Sequence, residues 1–236
     1  MSLIAALEIV ARLGLVSPLV LPAPSKVFLA LLAILPTQKF VDDLSRTGVE
    51  VVAACGVGIL IGLVLGTLGW RFGLFADTLE PYLVALYAMP TLVFYPILLA
   101  LMGLGPGPIV VITTLMVIVP VTLNTTAGLR SIRPVLIKMA RSMHCGRFTL
   151  MRKVLLPAAI PLLMPGIKLG VIYGMVAAIA MEFIMSASGL GYAVGYLYNG
   201  YRIVDMWAYI LVVMALGMTV VSLLGQLERR VRRDMA

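Results

Sequence analysis

Five stretches of about 20 mostly apolar residues constrain this chain more than any other feature, because that length of helix matches the roughly 30 Å hydrocarbon core of a bilayer. They are Val51–Trp70, Tyr82–Met102, Pro108–Gly128, Gly166–Ser186 and Trp207–Gly225. Four contain no charge, and Gly166–Ser186 holds only Lys168 and Glu182. The 236 residues are 62% apolar and 12% charged, with a mean hydropathy of +1.10. Soluble domains run near 45–50% apolar and about 25% charged. A soluble enzyme, a nucleic-acid-binding domain and a disordered chain are therefore excluded as classes, and an all-α polytopic membrane protein is expected. A sixth run, Leu3–Leu21, carries Glu8, Arg12, Gly14 and Pro18. It reads as a short first span or as a helix lying in the interface, and it lacks the basic start and cleavage site of a signal peptide.

The net charge of +8 gains meaning from its distribution. Arg130, Arg133, Lys138, Arg141, Arg147, Arg152 and Lys153 crowd residues 129–165, where no acidic residue occurs, and Arg229, Arg230, Arg232 and Arg233 mark the tail. Basic segments stay cytoplasmic, and two spans separate these two, so one orientation satisfies both. The Ser186–Met206 loop then faces outward, and Val51–Trp70 runs from outside to inside. Tyr192, Tyr196, Tyr198, Tyr201, Trp207 and Tyr209 gather around that outer loop, while Trp70, Phe72 and Phe75 mark the inner end of the Val51–Trp70 span. Cys55 lies in an apolar run and Cys145 in a basic one, so no disulfide is expected. The single histidine, His144, and the absence of CxxC argue against a zinc site.

Membrane helices associate through small residues. Gly58, Gly62 and Gly66 repeat every four positions, with Ala54 extending the stripe; Gly166, Gly170, Gly174 and Ala178 do the same. Both stripes read as close helix contacts, within the chain or to a second copy. Pro90, Pro96 and Pro120 interrupt two spans, which fits either a solute path lined by irregular backbone or simple curvature of a packed bundle. Glu182 continues the register of Gly174 and Ala178 and so faces the packed side. It reads either as an interhelical hydrogen-bond partner or as a gate or solute-facing group. Lys168 lies 14 positions away, about 21 Å along the helix, so it cannot pair with Glu182 and is expected to snorkel to the inner headgroups.

Residues 129–165 carry more pattern than a passive linker. Val135, Leu136, Met139, Ala140 and Met143 follow helical spacing, Gly146 breaks it, and Phe148, Met151 and Leu155 begin a second pattern that Pro157 and Pro161 are expected to end. Two short amphipathic helices joined at a glycine suit docking into a groove on a soluble partner; the plainer reading is a basic surface helix on anionic lipid.

The segment from Lys138 through Met139, Ala140, Arg141, Ser142, Met143, His144, Cys145 and Gly146 to Leu156-Pro157 resembles the "EAA" loop of permease subunits of bacterial ATP-binding-cassette (ABC) importers. Leu21-Pro-Ala-Pro-Ser25 resembles the L-P-S-P-S segment of the nitrate/sulfonate/taurine branch, and Ala187-Ser188-Gly189-Leu190-Gly191-Tyr192 its S-S-G-L-G-Y outer loop. Glu182 falls where that branch carries an acidic residue. The resemblance covers roughly Val16 to the C-terminus. It implies a type I ABC importer permease with a single transmembrane domain over residues 1–236, five firm transmembrane helices and a short or degenerate N-terminal one. It also implies a bacterial inner-membrane location, a homodimer, and residues 129–165 as a coupling loop to separate ATPase subunits that hold ATP and Mg. An extracytoplasmic binding protein would deliver the solute. Glu182, Ser188–Tyr192, Pro90 and Pro96 become candidates for the gate or translocation path. The chain departs from the pattern at Lys138, where the family has glutamate, at Met139, where it has alanine, and at His144, where it has glycine; Gly146 then takes the turn.

No G-x-x-x-x-G-K-[ST] occurs, so ATP is not expected to bind this chain, and no paired carboxylates, Ser/His/Asp set or metal cluster points to an enzyme. The alternatives are an ion-coupled secondary transporter or channel, for which Glu182 is the sole intramembrane acid, and a non-transporting scaffold. The branch resembled handles small anions such as nitrate, sulfonates and taurine, and also neutral and heterocyclic compounds.

Overall fold

The structure is a computed structural model that describes residues 2–14, 16, 17, 20–132, 135, 138, 139, 142, 146, 149 and 156–233. Its elements are helical: α1 (Ser2–Arg12), α2 (Pro24–Ile34), α3 (Gln38–Arg71), α4 (Gly73–Ala88), a 3-10 turn (Thr91–Phe94), α5 (Tyr95–Met102), α6 (Pro106–Arg130), α7 (Leu156–Met185), α8 (Leu190–Asn199) and α9 (Ile203–Arg233). Among the described residues, four stretches are long and apolar enough to cross a membrane: α3, α6, the α7–α8 stretch from residue 158 to 199, and α9.

Four expectations change. The Tyr82–Met102 run is not one helix. It breaks between Ala88 and Thr91, where Pro90 lacks the N–H that would continue the ladder. The first run yields only α1, 11 residues or about 16 Å, too short to span. The outer segment after Ser186 is not a loop but contains the ten-residue α8. Prolines expected to end a helix instead sit inside one: α7 starts at Leu156 and runs through Pro161 and Pro165.

Helix starts follow local chemistry. The Thr37 hydroxyl accepts the Phe40 N–H at 3.3 Å and caps α3. Pro24 and Pro106 occupy first-turn positions of α2 and α6, where the missing N–H costs nothing. α3, at 34 residues, is about 51 Å long, so it exceeds the apolar core of a bilayer and keeps Lys39, Asp42, Asp43, Arg46 and Glu50 in its first four turns.

The core is a three-helix slab with α6 in the middle. A Cβ at Gly58 would stand 2.6 Å from Val117 Cβ, and one at Gly62 2.7 Å from Val121 Cβ; Gly66 is as close to Thr125. From the other side, Gly174 abuts Val117 (2.7 Å to Cγ2), Gly170 abuts Val121 (3.0 Å to Cγ2) and Gly166 meets Asn124. Both glycine stripes thus serve contacts within the chain, and Val117 and Val121 are each held between two backbones and fully buried. Such contacts are what drives association where lipid and side chain are equally apolar.

The registers also give direction. Gly58, Gly62 and Gly66 pair with 117, 121 and 125 in ascending order, so α3 runs parallel to α6. On the other side the order descends, so α7 is antiparallel. The Thr126 hydroxyl donates to the Gly66 carbonyl at 3.1 Å, in the same parallel register. Parallel neighbours require residues 72–105 to carry the chain back along the full height of the slab. The broken pair α4–α5 makes that return.

Candidate functional site

The candidate site grows from the polar first half of α3. Asp43, Thr47 and Glu50 follow one another at four- and three-residue spacing and share a face. That face is turned inward: Asp43 is 4%, Thr47 1% and Glu50 2% exposed. Opposite stands Glu182 of α7, fully buried. The Thr47 hydroxyl lies 2.7 and 2.9 Å from the two Glu182 carboxylate oxygens, and it accepts the Leu190 N–H at 2.8 Å. The Gly191 N–H donates to Glu182 Oε2 at 2.8 Å, and the Gly189 N–H to Asp43 Oδ1 at 3.1 Å. Tyr209 of α9 reaches Asp43 Oδ2 at 3.5 Å.

Three successive N–H groups at the start of α8 therefore end on side chains of α3 and α7. A helix begins with unsatisfied N–H groups and a partial positive charge, and a buried start must find acceptors. Here two carboxylates and a hydroxyl supply them. Gly189 makes the approach with φ 109°, a conformation L side chains rarely adopt, and a Cβ there would collide with the Glu182 carboxyl. A Cβ at Gly191 would stand 2.7 Å from Glu182 Cβ. The Ser188–Tyr192 motif is thus the start of a helix folded down over a buried glutamate. Ser188 is half-buried and donates its N–H to the Ser186 hydroxyl at 3.3 Å; Leu190 is fully buried; the Tyr192 ring packs on Tyr196 with centroids 5.9 Å apart.

Glu50 is held on one side by Arg46, Nε to Oε1 at 2.5 Å, while its Oε2 has no hydrogen-bond partner. Sequence reasoning missed Asp43, Arg46, Thr47, Glu50 and Tyr209. The signal was present as a polar stripe on one helical face just before the Val51–Trp70 run, and it was lost by starting the span at Val51.

Pro90 and Pro96 are exposed and stand apart from this cluster. The residue of their segment tied to α7 is Tyr95, whose hydroxyl donates to the Met185 carbonyl at 2.9 Å. Lys168 does more than snorkel: its Nζ is 3.6 Å from Glu228 Oε2 on α9. Cys55 is free and buried.

In the basic segment, Lys138, Met139 and Ser142 are helical and exposed, and the Ser142 hydroxyl donates to the Lys138 carbonyl at 3.1 Å. Gly146 is exposed, and Leu156-Pro157 open α7. Ala140, Arg141, Met143, His144 and Cys145 lie outside the described residues. No group of three or more His, Cys, Asp or Glu that would hold a metal ion occurs among the described residues.

A glycine-packed slab, a broken return helix and a basic segment between two spans define a multi-pass helical membrane protein. Residues 58–233 match the family described as binding-protein-dependent transport system inner membrane component, and the chain belongs to it. It is similar to the taurine transport system permease protein TauC of Escherichia coli K12, 30% identical over 194 residues, covering 78% of this chain and 69% of that one. It is also similar to the nitrate import permease protein NrtB of Synechocystis, 25% identical over 186 residues, covering 79% and 66%. Of solved structures, an inward-facing methionine ABC transporter, MetNI, matches with a TM-score of 0.72 at 21% identity, over 82% of this chain and 96% of that one. An amino acid ABC transporter crystallised with histidines matches at 0.68 and 21%, over 86% and 98%. At that identity the likeness is one of fold. The chain is a multi-pass inner-membrane transport subunit of the ABC importer permease class, in the nitrate/sulfonate/taurine branch.

Proposed function

We propose that this chain lines the translocation path of an ABC importer for a small sulfonate- or nitrate-like solute, as one copy of a homodimer in a bacterial inner membrane. Residues 1–236 act as a single permease domain with five crossings, the broken α4–α5 pair being one. The observation that carries this reading is the contrast in packing. α6 is fixed between α3 and α7 by glycine contacts, whereas α4 and α5 keep few buried residues and a proline break. A rigid slab beside a jointed crossing is what hinge-type alternating access needs.

In this reading, residues 129–165 dock on a separate ATPase that binds ATP and Mg, and a binding protein presents the solute at the α8 face. Residues 138–146 and Leu156-Pro157 form the coupling surface. The similarity to taurine and nitrate permeases supports the solute class. The test is reconstitution with an ABC ATPase and a solute-binding protein from the organism that carries this chain. ATP-dependent uptake of taurine or nitrate is expected, with loss of ATPase copurification in Ala140→Arg and Gly146→Pro. Unchanged copurification in both variants overturns the coupling assignment.

A second reading has its own observation. The buried carboxylates Asp43, Glu50 and Glu182 are the equipment of an ion-coupled carrier. Uptake driven by a proton gradient without ATP would favour it.

A further inference from the structure

A cavity of about 380 Å³ opens between α3, α4 and α6 toward the C-terminal end of α6. That volume falls in the range of small-molecule sites, roughly 300–1,000 Å³. Leu65, Leu79 and Leu83 form part of its apolar wall, and Thr122, Glu80 and Arg130 supply polar groups.

These three have unused capacity, whereas Thr126 and Asn124 of the same wall already donate to the Gly66 and Pro120 carbonyls. Thr122 is 3% exposed, and its hydroxyl has no hydrogen-bond partner. Buried hydroxyls are normally paired, so an unpaired one in a cavity wall calls for an explanation. Arg130 is anchored at the mouth by Asp77, through one contact of 3.2 Å. A guanidinium has five N–H donors, so most remain for a ligand. Glu80 lines the same cavity, and no cation pairs with it among the described residues.

The geometry points to a binding site for a small zwitterion, its acid group on Arg130, its ammonium on Glu80 and its body against the leucines and Thr122. A simple anion would meet the repulsion of Glu80, and a simple cation that of Arg130. A molecule carrying both charges satisfies both walls. This inference rests on the transport reading and narrows its solute class from anions to amino acids and aminosulfonates. The site lies on the side of the slab where the basic segment leaves α6, which makes it a late station on an inward path.

The test is equilibrium binding of radiolabelled taurine to the full chain in lipid nanodiscs, with competition by ethanesulfonate, which lacks the amine, and ethylamine, which lacks the acid. Each competitor is expected to bind about tenfold or more weakly than taurine, the size of one lost charge-assisted hydrogen bond. Glu80→Gln should erase the discrimination against ethanesulfonate, and Arg130→Gln that against ethylamine. Both side chains are exposed, so these variants are expected to fold. Thr122→Val should weaken taurine while Thr122→Ser retains it. Absence of saturable binding, or binding unaltered by Glu80→Gln and Arg130→Gln, overturns the site. Taurine uptake by cells expressing the whole system is read in parallel. Intact uptake with no site-dependent binding removes the site alone, whereas site-dependent binding without uptake removes the transport reading and keeps the site.

Discussion

Thr47 and Glu182 lie 135 positions apart in sequence, yet the hydroxyl of one sits 2.7 Å from the carboxylate of the other. The pair joins α3 to α7, and through the Leu190 and Gly191 N–H groups it also fixes the start of α8. One hydroxyl thus donates to α7 and accepts from α8, so no apolar residue of the same shape can replace it. Thr47→Val is expected to lower stability by about 1–3 kcal/mol, because two buried partners are left unsatisfied. Thr47→Ser should recover most of the loss. Thermal unfolding in detergent, followed by exposure of Cys55 to a thiol reagent, measures both.

The glycine stripes make a prediction whose sign depends on position. A Cβ at Gly62 would stand 2.7 Å from Val121 Cβ, the rigid root of a side chain already pressed by Gly170. Gly62→Ala is therefore expected to cost about 1–3 kcal/mol by overpacking. The double variant Gly62→Ala with Val121→Ala should cost less than the sum of its parts. Gly56 lies on the same helix with open space around it. Gly56→Ala should instead gain about 0.5–1 kcal/mol from helix propensity. Equal losses at Gly56 and Gly62 would contradict the packing.

A pH dependence follows from Glu8, which lies on α1 outside the spanning helices. The Ser25 hydroxyl donates to its carboxylate at 2.6 Å and the Ser25 N–H at 3.0 Å, with Arg12 adding a third bond at 2.6 Å. These donors hold its pKa down from 4.5 to about 2. A depressed carboxylate stabilises the folded form above its ordinary pKa of 4.5 and loses that contribution as pH falls through about 2. The tie between α1 and the start of α2 should thus hold at neutral pH and release in strong acid. Titration of the Glu8 carboxyl by carbon NMR should give a midpoint near 2, rising toward 4.5 in Ser25→Ala.

Four of the spans, the stripes and the inward register of Glu182 were legible because four-residue spacing on a helix is local information. What Glu182 meets was not, because Thr47 comes from a distant helix and pairing between helices leaves no periodic mark. α8 was hidden by its own glycines: Gly189, Gly191 and Gly195 read as a loop, yet they let a helix lie close on α7, where a Cβ at Gly195 would stand 2.8 Å from the Phe183 carbonyl. Pro161 misled for a related reason. Inside α7 it leaves only the Pro157 carbonyl without its donor, a cost a membrane helix bears when neighbours re-satisfy the backbone.

Arg46 and Glu50 give the sharpest test of the buried cluster. Glu50 is 2% exposed and Arg46 36%, so the carboxylate is inside and its counter-charge sits at the rim. Removing one partner of a buried pair strands the other, at about 3–5 kcal/mol, whereas replacing both with apolar residues is often neutral. Arg46→Met is expected at the low end of that range, since water screens the half-exposed guanidinium. Glu50 would then carry an orphan Oε2 and an unpaired Oε1 beside buried Glu182 and Asp43. Arg46→Met combined with Glu50→Leu should restore stability close to that of the parent chain. Parallel unfolding curves for the two singles and the double form a mutant cycle that measures the coupling. A double variant no more stable than Arg46→Met would show that Glu50 serves the cluster by its charge and not merely by filling space.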